Sequence, residues 1–512
     1  MAQKRSLLNV ITALFFKLVL FVGSFLVRRY LIRFIGNDIN GINSLYISII
    51  GVLSVAELGI GDAIIFCMYK PIVAGDTSKI SAHYNLFKRI YRIVGILIAI
   101  LGCAVMPFLP YLAKGYEMVD VNLYLTFGLM LISTVLTYLF SAKISLLNAY
   151  RDNYITTTIT SIAQLLQQVL QIIVLFVTKS FVWYLICSII SVLLQWVATE
   201  IITKNKYSSI VNNKVVSIDK ETKGEIIKNI KAVFMHRIGG VLVNTIDSLV
   251  ISAFIGVTIL GKYSNYTTIM LAMTGVISLF FTPLTSTIGH LFVQDKSACK
   301  LYYNFFCTFN FVLGCVFFLG YYSVIDSLII LLFGTGLELS RSITFVITVN
   351  YFIQFMRQAT LLFRDASGTF YYDRWKPLAE GLSNLALSIA FVLLFQKYFG
   401  EEFAVIGVIV STIITNLAIC HIVEPFVLHK HAFHISAKKY YFRNYFYIAI
   451  FIFLLILLDV FMVNINNTIV ELLINGFIAI GLAAISVLML FVGDKNFRQH
   501  IFRLFKKEKK LK

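Results

Sequence analysis

The feature that most constrains this chain is the recurrence, from one end to the other, of apolar runs of about 20 residues or more. An α-helix needs about 20 mostly apolar residues to cross roughly 30 Å of hydrocarbon. Lipid offers no alternative except a closed barrel, because every backbone N–H and C=O must find its partner inside the protein. Barrel strands would alternate apolar and polar residues, and these runs do not. Fourteen candidate spans can be marked: residues 10–33, 42–66, 90–112, 121–142, 154–178, 181–203, 230–256, 263–292, 301–322, 342–363, 377–396, 403–428, 445–463 and 469–492. The expected fold is therefore an all-α polytopic membrane protein with about fourteen transmembrane helices.

Charge supplies the orientation. Only 13% of the 512 residues are charged, against about 25% in an average globular domain, yet the formal net charge is +19. Such an excess points either to nucleic-acid binding or to asymmetric membrane loops. Threading the spans with both termini on one side puts thirty-one of the 44 Lys and Arg in the connections on that side. Five fall opposite: Lys114, Lys179, Lys262, Arg341 and Lys397. Lys and Arg collect in cytoplasmic loops, so both termini are expected on the cytoplasmic side. The charge is spread over eight short segments and forms no basic face, which argues against a nucleic-acid partner.

The N-terminus, with Lys4 and Arg5 before an apolar run, imitates a secretory signal. It lacks a small-residue cleavage site and its apolar run is too long, so it reads as the first span. The segment 496–507 puts Phe497, Ile501 and Leu504 on one helical face, which suits either a helix on an anionic leaflet or a solvated basic tail. The seven cysteines, scattered from Cys67 to Cys420 without paired spacing, read as reduced packing residues.

An internal repeat organises the spans. The stretch from Phe34 to Tyr46 and the stretch from Phe254 to Tyr266 share Phe-Ile-Gly, Ile, Gly, Ser and Tyr at matching places, 220 residues apart. Weaker echoes pair Leu101-Gly102-Cys103 with Leu313-Gly314-Cys315, and Tyr150-x-Asp152-x-Tyr154 with Tyr371-x-Asp373-x-Trp375. Each half holds six spans, an even number, so both halves enter the membrane from the same side and form parallel repeats, with the cargo site expected at their interface. The expected organisation is a first lobe at 1–203, a cytoplasmic linker at 204–228, a second lobe at 229–428, two further spans at 429–492 and a basic tail at 493–512. Two such bundles could rock about a central cavity.

Charges left inside spans cost several kcal/mol unless they are paired or face water, so they mark candidate pathways. The first span carries Lys17, Arg28, Arg29 and Arg33, the second Glu57 and Asp62, and the seventh Arg237 and Asp247. Lys17 and Arg237 are related by the repeat offset and should lie at one depth. Lys17 and Arg28 are eleven residues apart, about 20° around a helix, which makes a basic stripe, while Arg29 and Arg33 form a second patch. Two readings stand side by side. Either Lys17, Arg28, Arg29, Arg33 and Arg237 line a cationic cavity for a pyrophosphate headgroup, or the arginines snorkel to headgroups and Lys17 pairs with Glu57. Glu57, Asp62 and Asp247 are candidates for ion or proton coupling or for structural pairing.

Other patterns carry less. His429, His431 and His434 have no carboxylate or cysteine nearby and read as a solvated loop, with no metal site. No G-x-x-x-x-G-K-[ST] motif is present, so no ATP hydrolysis is expected. The longest outer connection, 323–341, is too short for an outer catalytic domain, so the chain reads as no enzyme. No cofactor is expected beyond a coupling ion, H⁺ or Na⁺.

The run Glu57-Leu58-Gly59-Ile60-Gly61-Asp62-Ala63, followed by Tyr69-Lys70-Pro71 and Tyr91-Arg92, resembles the second-span region of bacterial polysaccharide transporters of the multidrug/oligosaccharidyl-lipid/polysaccharide flippase superfamily. The basic stretch leading into Phe34-Ile35-Gly36 and Gly41 is similar to them too. The resemblance implies fourteen helices, two six-helix lobes with a cationic cavity, and a flippase for O-antigen, capsule or teichoic-type units carried on undecaprenyl pyrophosphate. It also implies other polysaccharide-assembly membrane proteins as partners. A drug or cation antiporter of the same superfamily is the alternative, and its cavity charges would be acidic. The Arg-Asp pattern of lipid II flippases finds no match here.

Overall fold

The computed structural model describes residues 2–57, 60–213, 224, 245–281, 284–493 and 498. Contacts divide the chain into two compact units, Met1–Gly261 and Lys262–Lys512. No strand occurs among the described residues.

The first unit contains α1 (Ala2–Ile35), α2 (Asn37–Leu53), a 3₁₀ turn (Ser54–Glu57), α3 (Ile60–Val73), α4 (Thr77–Val105), the short α5 (Leu109–Leu112), α6 (Leu123–Thr137), α7 (Ser141–Ala149), α8 (Asn153–Thr178), α9 (Phe181–Val211) and α10 (Thr245–Ile255). It ends in the first turn of α11 (Val257–Phe281). The second contains the rest of α11, then α12 (Leu284–Gln294), α13 (Lys296–Phe333), α14 (Arg341–Met356), α15 (Gln358–Ala366), α16 (Lys376–Phe399), α17 (Ala404–Thr415), α18 (His421–Val427), α19 (Lys438–Phe461) and α20 (Thr468–Gly493). Each expected span coincides with a helix or a broken pair of helices, except the seventh, which is described only from Thr245 onward. Among the described residues nine helices are long and apolar enough to cross a membrane. Large apolar side chains such as Val22, Ile93, Val177, Phe453 and Phe477 stand more than half exposed, which fits a lipid-facing surface and not water. The molecule is a polytopic all-α membrane protein.

Two expectations need correction. The outer connection expected at 323–341 is mostly helix, because α13 runs 38 residues to Phe333, roughly 57 Å at 1.5 Å per residue. Only 334–340 remain irregular, starting at Gly334 with φ 112°. The histidine loop is also helical: the helix begun by α17 and α18 continues through π turns at Asn416–Cys420 and Leu428–Phe433. His429 is buried there, with Nδ1 2.7 Å from the Pro425 carbonyl. The wider π turn keeps the backbone hydrogen-bonded past Pro425, so the helix does not stop where the apolar run does.

The repeat has a structural counterpart at several points. Gly36 and Gly256, the third residues of the two Phe-Ile-Gly copies, both precede a helix with φ of 112° and 138°. A side chain is strained in that conformation, and glycine is not. Gly41 abuts the Val257 backbone and Gly261 abuts Asn37. Because Val257 is Asn37 shifted by 220, and Gly261 is Gly41 shifted by 220, the two copies exchange the same contact. Asn37 Nδ2 donates to the Thr258 carbonyl at 2.9 Å and Asn40 Nδ2 to that of Gly261 at 3.1 Å. This close crossing explains why 245–261, read from sequence as part of the second lobe at 229–428, clusters with the first unit.

Tyr46 and Tyr266 are fully buried and serve equivalent purposes. Tyr46 donates to the Leu123 carbonyl, and Tyr266 accepts from the Leu339 amide, in each case tying the helix to the segment that begins the fourth span of its half. Helix starts repeat as well. Asp76 caps α4 through the Lys79 amide at 2.9 Å, and Asp295 caps α13 through the Ser297 and Ala298 amides at 2.9 and 3.0 Å.

Candidate functional site

α1 presents the basic residues. Its Gly23 faces Gln168 of α8, whose Nε2 donates to the Leu20 carbonyl at 3.0 Å, and Tyr30 and Phe34 each pack 4.8 Å from Phe176. At 100° per residue, Lys17 and Arg28 lie roughly 120–140° to one side of Gly23, and Arg29 and Arg33 roughly 80–120° to the other. The stripe that packs on α8 therefore leaves both basic flanks off that contact. Lys17, Arg29 and Arg33 are exposed, while Arg28 is half-buried and interacts electrostatically with Tyr184 of α9. Arg237 lies outside the described residues, so its relation to Lys17 stays an expectation.

The acidic candidates separate. Glu57 sits in the 3₁₀ turn that interrupts the second span, and its Oε2 accepts a hydrogen bond from Tyr138 at 2.7 Å. Tyr138 itself stands at the break between α6 and α7, where its Cβ packs close to Gly95 of α4. A carboxylate thus meets a phenol where two spans are broken, and discontinuous helices at membrane depth are the usual setting for binding sites. Asp247 is buried on α10. Asp62 lies on α3, and its side chain is outside the described residues.

The second unit holds a larger constellation around Arg357, one of the basic residues that the sequence leaves inside a span. Arg357 stands at the break between α14 and α15. It gives Glu424 two hydrogen bonds, 2.6 Å from Nη2 and 3.1 Å from Nε, and reaches Glu380 at 3.3 Å and Asn416 at 2.6 Å. Lys376 contacts Glu424 at 2.6 Å and, one helical turn along α16, Glu380 at 3.1 Å. Glu424 is 0% and Glu380 4% exposed. Two cations and two carboxylates balance, as they must where water is excluded. Beside them His421 meets the Ile353 carbonyl at 3.0 Å and Asn444 at 2.9 Å. The cluster joins the break in the tenth span to α16 and α18, so it fixes helix positions. Lys376 reads from sequence as a loop cation, and Glu380 and Glu424 lie in apolar runs whose acidic residues are the only clue.

The Asp152 and Asp373 echo is matched as well. Asp152 takes Lys206 Nζ at 2.5 Å and Tyr207 Oη at 2.6 Å, and Asp373 takes Arg364 at 2.6 Å; both carboxylates are buried. Lys143 and Glu200 form a further ion pair in the first unit. No disulfide joins any of the seven cysteines, and five of them are buried. Among the described residues, no group of three His, Cys, Asp or Glu could hold a metal.

The lipid II flippase MurJ, in an inward closed conformation, matches 95% of this chain and 99% of its own at a TM-score of 0.65 and 14% identity. The chain shares the fold of MurJ and of MATE transporters. An inward-facing multidrug resistance MATE family transporter of the MOP superfamily matches 80% of this chain and 96% of its own, with a TM-score of 0.62 and 14% identity. A mutant of the Vibrio cholerae MATE transporter VcmN matches 84% of this chain and 97% of its own, with a TM-score of 0.55 and 13% identity. No protein-family model and no curated protein matches the sequence.

Proposed function

We propose that the protein is a flippase, and no enzyme, that moves undecaprenyl-pyrophosphate-linked oligosaccharide units from the inner to the outer leaflet of a bacterial plasma membrane by alternating access between two lobes, for surface polysaccharide assembly. The observation that carries this reading is the basic helix α1, whose Lys17, Arg29 and Arg33 are exposed, with the half-buried Arg28 on the same flank as Lys17. A pyrophosphate leaves water only against fixed positive charge, and a row of cations on a span suits an anionic headgroup. Arg237 is proposed to add to that charge. The fold shared with a lipid II flippase over nearly the whole chain agrees with a lipid-linked cargo. Polysaccharide-assembly membrane proteins are the proposed partners.

A second reading has its own support. Glu57, hydrogen-bonded to Tyr138 at a broken span, together with the MATE fold, suits a cation-coupled antiporter of small molecules. In either reading Glu57, Asp62 and Asp247 are the proposed coupling residues, for H⁺ or Na⁺.

Proteoliposomes holding the purified chain and a fluorescent undecaprenyl-pyrophosphate oligosaccharide, with a membrane-impermeant quencher, test the proposal. The unaltered protein should move label between leaflets. Arg28→Glu should slow that movement, and Lys397→Glu, on an exposed outer helix end, should not. Absence of lipid movement together with cation-driven efflux of a fluorescent dye would refute the flippase reading in favour of the antiporter.

A further inference from the structure

α13 and α19 run side by side in the same direction, and their contacts keep one register. The Tyr303 and Tyr440 rings lie 6.0 Å apart, the Thr308 and Tyr447 hydroxyls meet at 3.1 Å, and Tyr322 donates to Asp459, so partners stand 137 to 139 residues apart along the whole seam. One helical turn before the contact of Thr308 with Tyr447, that register sets Asn304 opposite Arg443, and a further turn back it sets Lys300 opposite Lys439. The hydroxyl contact and the stack of Phe311 on Tyr447, with centroids 4.4 Å apart, close the seam on the membrane side of these residues.

The four polar side chains at the open end meet no acid. No carboxylate pairs with Arg443, Lys300 or Lys439 among the described residues, and the Asn304 amide makes no hydrogen bond there. Arg443 is half-buried. The groups that act on it most strongly are the Cys307 thiol and the hydroxyls of Tyr447, Tyr303 and Tyr440, all of them on buried residues. A guanidinium withdrawn from water needs a counter-charge. Arg341, Arg357 and Arg364 of the same unit each have theirs in a carboxylate, and for Arg443 the described chain supplies none. Lys300 and Arg443 stand just before the apolar runs 301–322 and 445–463, which puts the open end of the seam where headgroups meet hydrocarbon. Phe446, one turn beyond Arg443, is 55% exposed. Basic pockets between helices at that depth hold anionic lipids.

We propose that this seam binds the phosphodiester of an anionic phospholipid, from the leaflet that faces the basic connections. Arg443 and the Asn304 amide donate to the phosphate oxygens, Lys300 and Lys439 add charge at the mouth, and an acyl chain follows Phe446. The site lies within the second unit, is separate from the basic face of α1 and does not depend on which cargo the protein carries.

The test uses the purified full-length chain in detergent, with thermal unfolding followed as phosphatidylglycerol, phosphatidylcholine or inorganic phosphate is titrated. Phosphatidylglycerol should raise the midpoint in a saturable way, and the other two should not. Arg443→Gln should weaken the phosphatidylglycerol response about tenfold, on the scale of one basic contact to an anionic headgroup. Arg374→Gln, at a half-buried arginine that rests 4.2 Å over the Tyr371 ring, should leave it unchanged. Asn304→Asp places a carboxylate opposite Arg443 and should both raise the lipid-free midpoint and remove most of the response, an outcome that loss of folding cannot imitate. Equal responses to the two lipids, equal weakening by both arginine variants, or a full response in Asn304→Asp would overturn the site. A response to inorganic phosphate matching that to the lipid would overturn the lipid assignment and indicate a small-anion site.

Discussion

Replacing either glycine of the exchanged crossing should cost the same stability. A Cβ added at Gly41 would meet the Val257 carbonyl group, its carbon only 2.8 Å away, and the Gly261 amide at 3.1 Å. A Cβ at Gly261 would meet the Asn37 carbonyl and lie 2.8 Å from Asn37 Cγ. In each case the obstacle includes backbone, which cannot rotate away, so the helices must part. Overpacking of this kind costs about 1–3 kcal/mol. Parting also stretches the Asn37 and Asn40 hydrogen bonds, each worth about 1 kcal/mol, while alanine regains about 1 kcal/mol of helix propensity. The net expectation for Gly41→Ala or Gly261→Ala is a loss of about 2–4 kcal/mol. The double variant should lose clearly less than the sum, since the second methyl enters a gap opened by the first. Gly320→Ala, with nothing within 4 Å of its added Cβ, is the control and should be neutral or slightly stabilising. Unfolding of the purified protein in detergent measures all four. Unaffected single variants, or a double variant whose loss equals the sum within about 0.5 kcal/mol, would refute the exchanged contact.

Two further outcomes are expected. Glu424→Gln leaves Arg357 and Lys376 facing Glu380 alone in a buried setting and should cost about 3–5 kcal/mol; Asp365→Asn, on a half-exposed carboxylate paired with Arg364, should cost under about 1 kcal/mol, and parallel unfolding curves compare them. The capping carboxylates outside the spans provide a pH test. Hydrogen bonds, from the Lys79 amide to Asp76 and from the Ser297 hydroxyl to Asp295, hold both carboxyls below their usual value. Their contribution is therefore complete above the unfolded value, about 3.9, and is lost as pH falls through the lower folded value. First-turn amides of α4 and α13 should exchange faster with solvent as pH drops through that window, after correction for intrinsic rates. In Asp76→Ala and Asp295→Ala the protection should be low already at neutral pH, and protection unchanged in those variants would refute the capping argument.

Much of the fold is legible in the sequence because its dominant interactions are local or compositional. A run of apolar residues must become a helix in lipid whatever its neighbours are, and Lys and Arg report on sidedness without reference to packing. The Phe-Ile-Gly repeat is readable because a positive φ at Gly36 and Gly256 tolerates almost no other residue. Legibility fails where a residue's role depends on a distant partner. Glu380 and Glu424 look like isolated acids in apolar runs until Arg357 and Lys376 are brought to them. His429 looks like part of a polar loop because no local rule announces a π turn beyond Pro425. Asp76 and Asp295 are 219 residues apart and escape an identity search, since capping needs a carboxylate and free amides but no shared neighbouring sequence.

The sequence by itself determined the polytopic helical class, the approximate spans, their expected orientation and the existence of an internal duplication. Hydrocarbon thickness and backbone hydrogen bonding leave no other outcome for such runs. Only the tertiary structure decided where the spans break, that Glu57 meets Tyr138, that four buried charges cancel around Arg357, and that the two motif copies meet through reciprocal glycine contacts. Those are relations between groups far apart in the chain, set by which helices approach closely enough to exclude water or a methyl group.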